Sequence, residues 1–498
     1  MKRALRIVAL VAALVLPATA NAVNVKNLDM GKNVQVWYVE DHTLPMIALT
    51  ASLPAGSAYD PKDKAGLAAF TADLLNEGAG SLTSQAYQGA LSDRAIKLSF
   101  ATQRDHLVIS LVTLTENAKE AFQLLGLALN HPRFDPDAIS RVRTQILSSI
   151  AQEDEDPATI AAKAFFATYF QGHPYAHPVN GDAASVSRIT RNDIRGFAQA
   201  HWVRNGLRIS VSGDANAATL QSLIATAFGK LPAKWPPPIP PVKHAGAPGV
   251  KVIPMPEPQS VAVFAVPGLL RNDKDFIPGY VANYILGGGG FSSRLMDEVR
   301  EKRGLTYSIS TSLDAMKKAG MMAGEVATRA NGMRQTIEVV RATMRDFQQT
   351  GATDKELADA KTYLTGSYPL AFASNVGISS QLNAFQRAGL AMDYVQKRNA
   401  LINAVTLDDV KRVSQRLFSP NKLTIVVAGS LQQGAPVHER PLPGPGKPPQ
   451  PALPTRPAQS AATAPGPKPP ITTRSTAAKP REQRRTMPAA GTVTPAPH

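Results

Sequence analysis

The chain reads as a tandem pair of α+β domains, and three observations lead there. The first is a repeat. Ile189-Thr190-Arg191-Asn192-Asp193-Ile194 through Leu207-Arg208-Ile209-Ser210-Val211-Ser212-Gly213 aligns with Val405-Thr406-Leu407-Asp408-Asp409-Val410 through Leu423-Thr424-Ile425-Val426-Val427-Ala428-Gly429 at a constant offset of 216 residues with no gap. The second is a proline-rich divider, Trp235 to Pro241 and then Ala245-Gly246-Ala247-Pro248-Gly249, which splits the ordered part into halves of similar length. The third is the mixture of element types. Strand-like runs at Val34 to Val39, Met46 to Leu53, His106 to Leu114 and Ser260 to Val266 alternate with helix-like runs such as Gly66 to Leu75 and Ala118 to Leu129.

Each repeat opens with Thr followed three residues later by Asp, a helix-start signal in which hydroxyl and carboxylate satisfy free backbone N–H groups. Each closes on a β-rich run ending in Gly. The expected organisation is a signal segment over 1–22, a first domain over 23–232, a linker over 233–249, a second domain over 250–434 and a disordered tail over 435–498. Lys2, Arg3 and Arg6, the apolar run Ile7 to Leu16 and the small-residue stretch ending Ala20-Asn21-Ala22 form a secretory signal with cleavage after Ala22. An apolar run of that length is too short to span a bilayer, so an exported protein, most naturally periplasmic, is expected.

The absence of cysteine removes disulfides, thiolate metal sites and cysteine nucleophiles together. The formal charge of +16 invites a nucleic-acid reading, but much of it lies in the tail. From Pro441 to His498 there are eight Lys/Arg against one acid, Glu482, with sixteen of the forty prolines. Such a segment cannot bury enough apolar surface to offset its ordering entropy. A solvated tail is expected; contact with a membrane or cell wall through its charge is the lesser reading, and no nucleic-acid partner is expected. There is no nucleophile elbow, phosphate-binding Gly loop or dinucleotide fingerprint.

Two stretches carry an identity. In the second half, Leu286-Gly287-Gly288-Gly289-Gly290-Phe291-Ser292-Ser293-Arg294-Leu295 runs into Glu298-Val299-Arg300-Glu301-Lys302-Arg303-Gly304-Leu305-Thr306-Tyr307-Ser308. In the first, Leu53-Pro54-Ala55-Gly56-Ser57-Ala58-Tyr59-Asp60-Pro61 leads to Lys64-Ala65-Gly66-Leu67-Ala68. Both resemble the M16 zinc-peptidase family of insulinase, pitrilysin and mitochondrial processing peptidase, subfamily B, over roughly residues 30 to 430. The resemblance implies two metallopeptidase-like domains arranged as a clam-shell round a chamber, each an antiparallel-rich sheet covered by helices on one face. It also implies that Arg300 and Tyr307 face a catalytic half across that chamber. A guanidinium and a phenol placed there suit the negative charge that develops on a carbonyl oxygen during peptide hydrolysis. Taken alone, Arg300 reads more readily as a solvated helix charge and Tyr307 as a core aromatic; the surrounding match reverses that order.

Active members of the family carry His-x-x-Glu-His, two imidazoles one turn apart for zinc and a Glu that activates the bound water. This chain has Ala69, Ala72 and Asp73 in those places, and Ser149 where the third ligand, a Glu, is expected. The metal site therefore reads as degenerate, with no zinc in this chain. His173-Pro174-Tyr175-Ala176-His177 is the best remaining imidazole pair, but its prolines argue against one-face helical geometry and favour packing. The acidic run Glu153 to Asp156, followed by Pro157, reads as a solvated helix end.

The resemblance implies a non-catalytic subunit that pairs with a zinc-bearing homologue, binds peptide as an added strand and completes the active site with Arg300 and Tyr307. The alternative is a peptide-binding or structural assembly protein of the same fold with no catalytic share. An autonomous metallopeptidase using unrecognised ligands is the third reading.

Overall fold

A computed structural model describes residues 23–431. The signal segment and the 435–498 tail lie outside the described residues. The first half contains strands β1 (Lys26–Leu28), β2 (Gln35–Glu40), β3 (Met46–Leu53), the short pair β4 (Gly78–Ala79) and β5 (Leu82–Thr83), β6 (Lys97–Thr102), β7 (Leu107–Leu114) and β8 (Arg208–Gly213). The second contains β9 (Gly249–Ile253), β10 (Gln259–Pro267), β11 (Thr306–Ala315), β12 (Gly320–Arg329) and β13 (Thr424–Ala428).

The duplication is written into the topology. The first sheet has the order β1-β2-β8-β3-β7-β6 and the second β11-β12-β10-β13-β9. Read from the opposite end, the second repeats the first without β1. In both, one parallel pair (β2 with β8, β13 with β9) is followed by antiparallel neighbours. The repeated helix starts are reciprocal caps: Thr190 accepts from the backbone N–H of Asp193 while Asp193 accepts from that of Thr190, and Thr406 and Asp409 do the same.

One face of each sheet carries its own helices, as the alternation of apolar residues along β3 requires. Ile47, Leu49, Ala51 and Leu53 pack with Phe122 and Leu125 of the Ala118–Asn130 helix and Ile224 of the Ala217–Phe228 helix. The other face is covered as well, by a helix from the opposite half, which the expectation of single-face cover missed. The Asn375–Arg387 helix of the second half lies on β3 and β8, and the Pro157–Tyr169 helix of the first half lies on β10 and β13. These helices occupy corresponding places in the repeat, so the exchange is reciprocal.

The two crossings differ in chemistry. Phe165 and Tyr169, with the adjoining Phe170, are fully buried against Val261, Val263, Ala265 and Val426, each worth roughly 1.5–3 kcal/mol of burial. The other crossing is a polar seam. Gln386 accepts from the Ser210 hydroxyl (2.8 Å) and donates to the carbonyls of Ile209 and Gln35 (3.1 and 3.2 Å). Ser212 donates to Asn375 (2.6 Å), and Asn383 donates to the carbonyls of Thr50 and Arg208 (3.3 and 3.2 Å). The halves thus belong to one compact unit. The 233–249 segment is strapped down too: Gly246 N–H donates to the Tyr169 carbonyl (2.9 Å) and Ala247 N–H to the Thr424 hydroxyl (2.8 Å).

Candidate functional site

The Leu67–Asp73 helix is positioned from its N-terminal side. Gly66 takes φ +91°, which a side chain rarely adopts, and the buried Asp60 carboxylate accepts from the N–H groups of Gly66 and Ala68, both at 2.8 Å. Gly56 is fixed by close approach, since a Cβ there would meet the Arg104 carbonyl at 2.4 Å. These contacts explain the Pro54 to Ala68 string.

Ala69 and Asp73, one turn apart, line a recess of about 380 Å³ together with Ser149 of the Pro136–Glu153 helix, and Glu77, Gln145, Glu153 and Asn180. Ala72 is packed into the core behind it. Three of the four degenerate positions therefore share one recess with a methyl, a hydroxyl and a single carboxylate. The other carboxylates are engaged: Glu77 pairs with Arg141, and Glu153 pairs with Lys163 at 3.1 Å. Asp73 reaches solvent, and its carboxyl has no hydrogen bond or ion pair among the described residues; the protein packed round it raises that carboxyl to about 6 by desolvation. One free carboxylate is a poor ligand set for zinc.

The histidine pair is structural. His173 Nδ1 accepts from the Tyr175 N–H (3.1 Å) and Nε2 bonds the Pro240 carbonyl (2.9 Å), so both nitrogens are used. His177 lies against the Pro178 carbonyl at 3.4 Å. The acidic run is a helix end: Asp156 caps the Pro157–Tyr169 helix, accepting from Thr159 N–H at 2.9 Å, and Lys163 holds Asp154. No group of three His, Asp or Glu suited to a metal occurs among the described residues.

The second-half segment has the opposite character. The Phe276–Asn283 helix widens into a π turn over Tyr284–Gly288, and a second π segment spans Met296–Glu301, a device that re-aims side chains and recurs at functional sites. A Cβ on Gly287 would meet the Thr311 hydroxyl of β11 at 2.5 Å, and Gly290 takes φ +57°. Arg294 anchors the segment, with two donors to Glu356 (2.6 and 2.8 Å), one to the Gly351 carbonyl (2.9 Å) and its plane over Phe347. Tyr307 lies at the start of β11, an outer strand, where the register against β12 breaks between Thr306 and Ile309. Thr306 Oγ1 donates to the Ala327 carbonyl (2.7 Å) and accepts from Ser308 N–H (3.1 Å), pinning that bulge.

Arg300 and Tyr307 are brought together. The guanidinium stands 5.2 Å from the Tyr307 ring centroid and 4.6 Å from that of Phe291, with Glu301 at 3.0 Å. Tyr307 is 82 % exposed and Phe291 68 %, so Tyr307 is no core aromatic. Phe291 was not singled out in the sequence; its place directly after four glycines was the available signal. A cleft of about 1200 Å³ lies between the halves, yet neither the Arg300–Tyr307 pair nor the Ala69, Asp73 and Ser149 recess lines it. The family's two site components do not meet within this chain's own cleft.

The family description "Insulinase (Peptidase family M16)" matches residues 35–183, and "Peptidase M16 inactive domain" matches residues 188–364. The chain belongs to peptidase family M16. Within the family it is similar to the "Non-peptidase homolog YmxG" of Helicobacter pylori, 28 % identical over 418 residues that cover 83 % of this chain and 96 % of that one. It is also similar to an "Uncharacterized zinc protease" of Mycobacterium bovis, 27 % identical over 377 residues, 73 % of this chain and 84 % of that one. Among solved structures, the "peptidase M16 inactive domain" of Pseudomonas fluorescens superposes with a TM-score of 0.79 at 29 % identity, covering 83 % of this chain and all of that one. The M16 fold class expected from sequence is thus the one observed.

Proposed function

We propose that this M16 chain is an exported, non-catalytic subunit that binds peptide and completes the active site of a zinc-bearing M16 homologue. The carrying observation is the Phe291–Arg300–Tyr307 stack: Phe291, in the turn after the glycines, and Tyr307, at the start of the bulged outer strand, are both held open to solvent, and no described residue hydrogen-bonds the Tyr307 hydroxyl. Clustered exposed aromatics around an arginine suit a protein interface. The recess with Ala69, Asp73 and Ser149 supplies the other support: metal and activated water belong on the partner. There the Arg300 fork would hold a substrate carbonyl or carboxylate, and the Tyr307 hydroxyl would donate to the oxyanion. The outer strand β11 offers main-chain groups for an extended peptide.

Affinity purification of the full chain from its native host tests the reading. The expected result is co-purification of a homologue with His-x-x-Glu-His, with zinc on that partner and peptide hydrolysis by the pair alone. A chain that elutes by itself with stoichiometric, tightly held zinc would sink it.

A further inference from the structure

The cleft between the halves differs in chemistry from the Arg300–Tyr307 stack. Five cations line it: Arg104 at the β6–β7 hairpin, Arg208 at the start of β8, Arg271, Lys317 at the β11–β12 hairpin and Arg387 at the end of the Asn375–Arg387 helix. None forms an ion pair among the described residues. The only acids in the lining are Asp105 and Asp314. Asp105 is already occupied, accepting from the Tyr175 hydroxyl (2.6 Å) and from the backbone N–H of Lys317 (2.8 Å).

The guanidinium groups are held rather than loose. Arg104 lies on the Phe166 ring, 3.6 Å from its centroid. Arg387 donates to Gln103 (2.6 Å) and Arg208 to the Gly206 carbonyl (3.1 Å). Among the described residues the Nε atoms of Arg208 and Arg387 are buried without a hydrogen-bond partner, a state that folding tolerates poorly unless something accepts from them. Burial lowers the Arg104 pKa to about 10 and lowers those of Arg208, Arg387 and Lys317 as well. Burial and then the charges of Arg387, Arg208 and Lys317 push His106 down to about 3. A cleft lined by one sign of charge with low-dielectric walls concentrates counter-ions.

The remaining wall is apolar: Trp235, Pro236, Pro237, Pro238, Leu270 and Met316. Trp235 is 62 % exposed. An inorganic anion would leave this wall unused. The chain's own C-terminal stretch, with eight Lys/Arg against one acid from Pro441 onward, has the wrong sign to fill the cleft. We propose that the inter-half cleft binds an acidic peptide from another molecule. Its carboxylates would sit on the forks of Arg104, Arg208 and Arg387, and its apolar side chains against the Trp235–Pro238 wall. This site is separate from the Arg300–Tyr307 stack and stands without the partner reading.

Of the chain's three tryptophans, Trp37 and Trp202 are buried and Trp235 lines the cleft, so a ligand-induced change in emission that Trp235→Phe abolishes reports the cleft. The full chain is titrated with a synthetic octapeptide of alternating Glu and Leu, with its Gln counterpart, and with tripolyphosphate. The expected result is saturable quenching or a shift of the Trp235 signal by the Glu peptide, with affinity at least tenfold weaker for the Gln counterpart and for tripolyphosphate. Lys317→Glu and the Arg104→Gln/Arg387→Gln pair, each checked for fold by circular dichroism, should each weaken the Glu peptide at least tenfold. Equal binding of Glu and Gln peptides, tighter binding of tripolyphosphate, or indifference to Lys317→Glu would overturn the proposal.

Discussion

The two halves share one topology and have kept opposite things. The first brings Ala69, Asp73 and Ser149, which stand where the resemblance places zinc ligands, to a common recess without a ligand set, and the Gly66 and Asp60 contacts launch its helix. The second carries its polar pair, with Tyr307 exposed at a strand bulge and Arg300, at the end of a π segment, stacked beneath it. Side chains that bind metal can disappear while the backbone holds, because recess geometry depends on buried contacts elsewhere. Large aromatics left open to solvent round one arginine are harder to explain without something to cover them.

If the recess is only missing its donors, restoring them should restore metal. The triple substitution Ala69→His, Asp73→His, Ser149→Glu is expected to bind one zinc with micromolar affinity or better, about 8 kcal/mol. The unaltered chain should hold none under the same dialysis. A triple variant that folds yet stays zinc-free would mean the first half has lost the geometry as well.

The reciprocal helix crossings sharpen the comparison next. Phe165→Ala in the apolar crossing should cost about 3–5 kcal/mol through the cavity it leaves. Gln386→Leu in the polar crossing should cost about 2–4 kcal/mol, because Ser210 and the carbonyls of Ile209 and Gln35 lose their partner. Chemical denaturation should give a single transition for both variants if the halves are one unit; two transitions for Gln386→Leu would show that they can separate.

A smaller effect separates the halves by pH. His201 is buried in the first half against Tyr59 and Phe197, and burial lowers its pKa to about 4. The second half has Leu417 at the corresponding position. A base whose folded pKa is depressed contributes full stability above its unfolded value near 6.5 and loses it as pH falls toward 4. Between pH 7 and pH 5 the loss due to His201 should be about 2 kcal/mol, and His201→Phe should remove that share of the pH dependence in urea titrations.

Much of the fold was legible because it rests on repeated local signals. The Thr-x-x-Asp starts became capping boxes, the 216-residue offset became matching strand orders, and the Gly-rich string became a backbone that a Cβ would obstruct. The crossings were not legible, because Thr50, Ser52, Ser210 and Ser212 look like a solvent face in a strand pattern. Only the distant Asn375, Asn383 and Gln386 make them interior. In the candidate site, Ala69, Ala72, Asp73 and Ser149 were pointed to by the family resemblance, and the structure gathers Ala69, Asp73 and Ser149 round one recess with Ala72 packed behind it. The outward aim of Tyr307 and the part of Phe291 could not, since a bulge and a π turn leave no period in the sequence.

The smallest expected stability effect accompanies the largest functional one. Tyr307→Phe removes only an exposed hydroxyl and Arg300→Ala a part-buried guanidinium stacked on two exposed rings, so the two together should change stability by no more than about 1 kcal/mol. The direct test is the turnover of peptide by the complex reconstituted from the zinc-bearing partner and this chain, with and without both substitutions. Division of labour predicts a drop in kcat of about 100-fold with the complex still assembled. An assembled double-variant complex that cleaves peptide at the unaltered rate would contradict it.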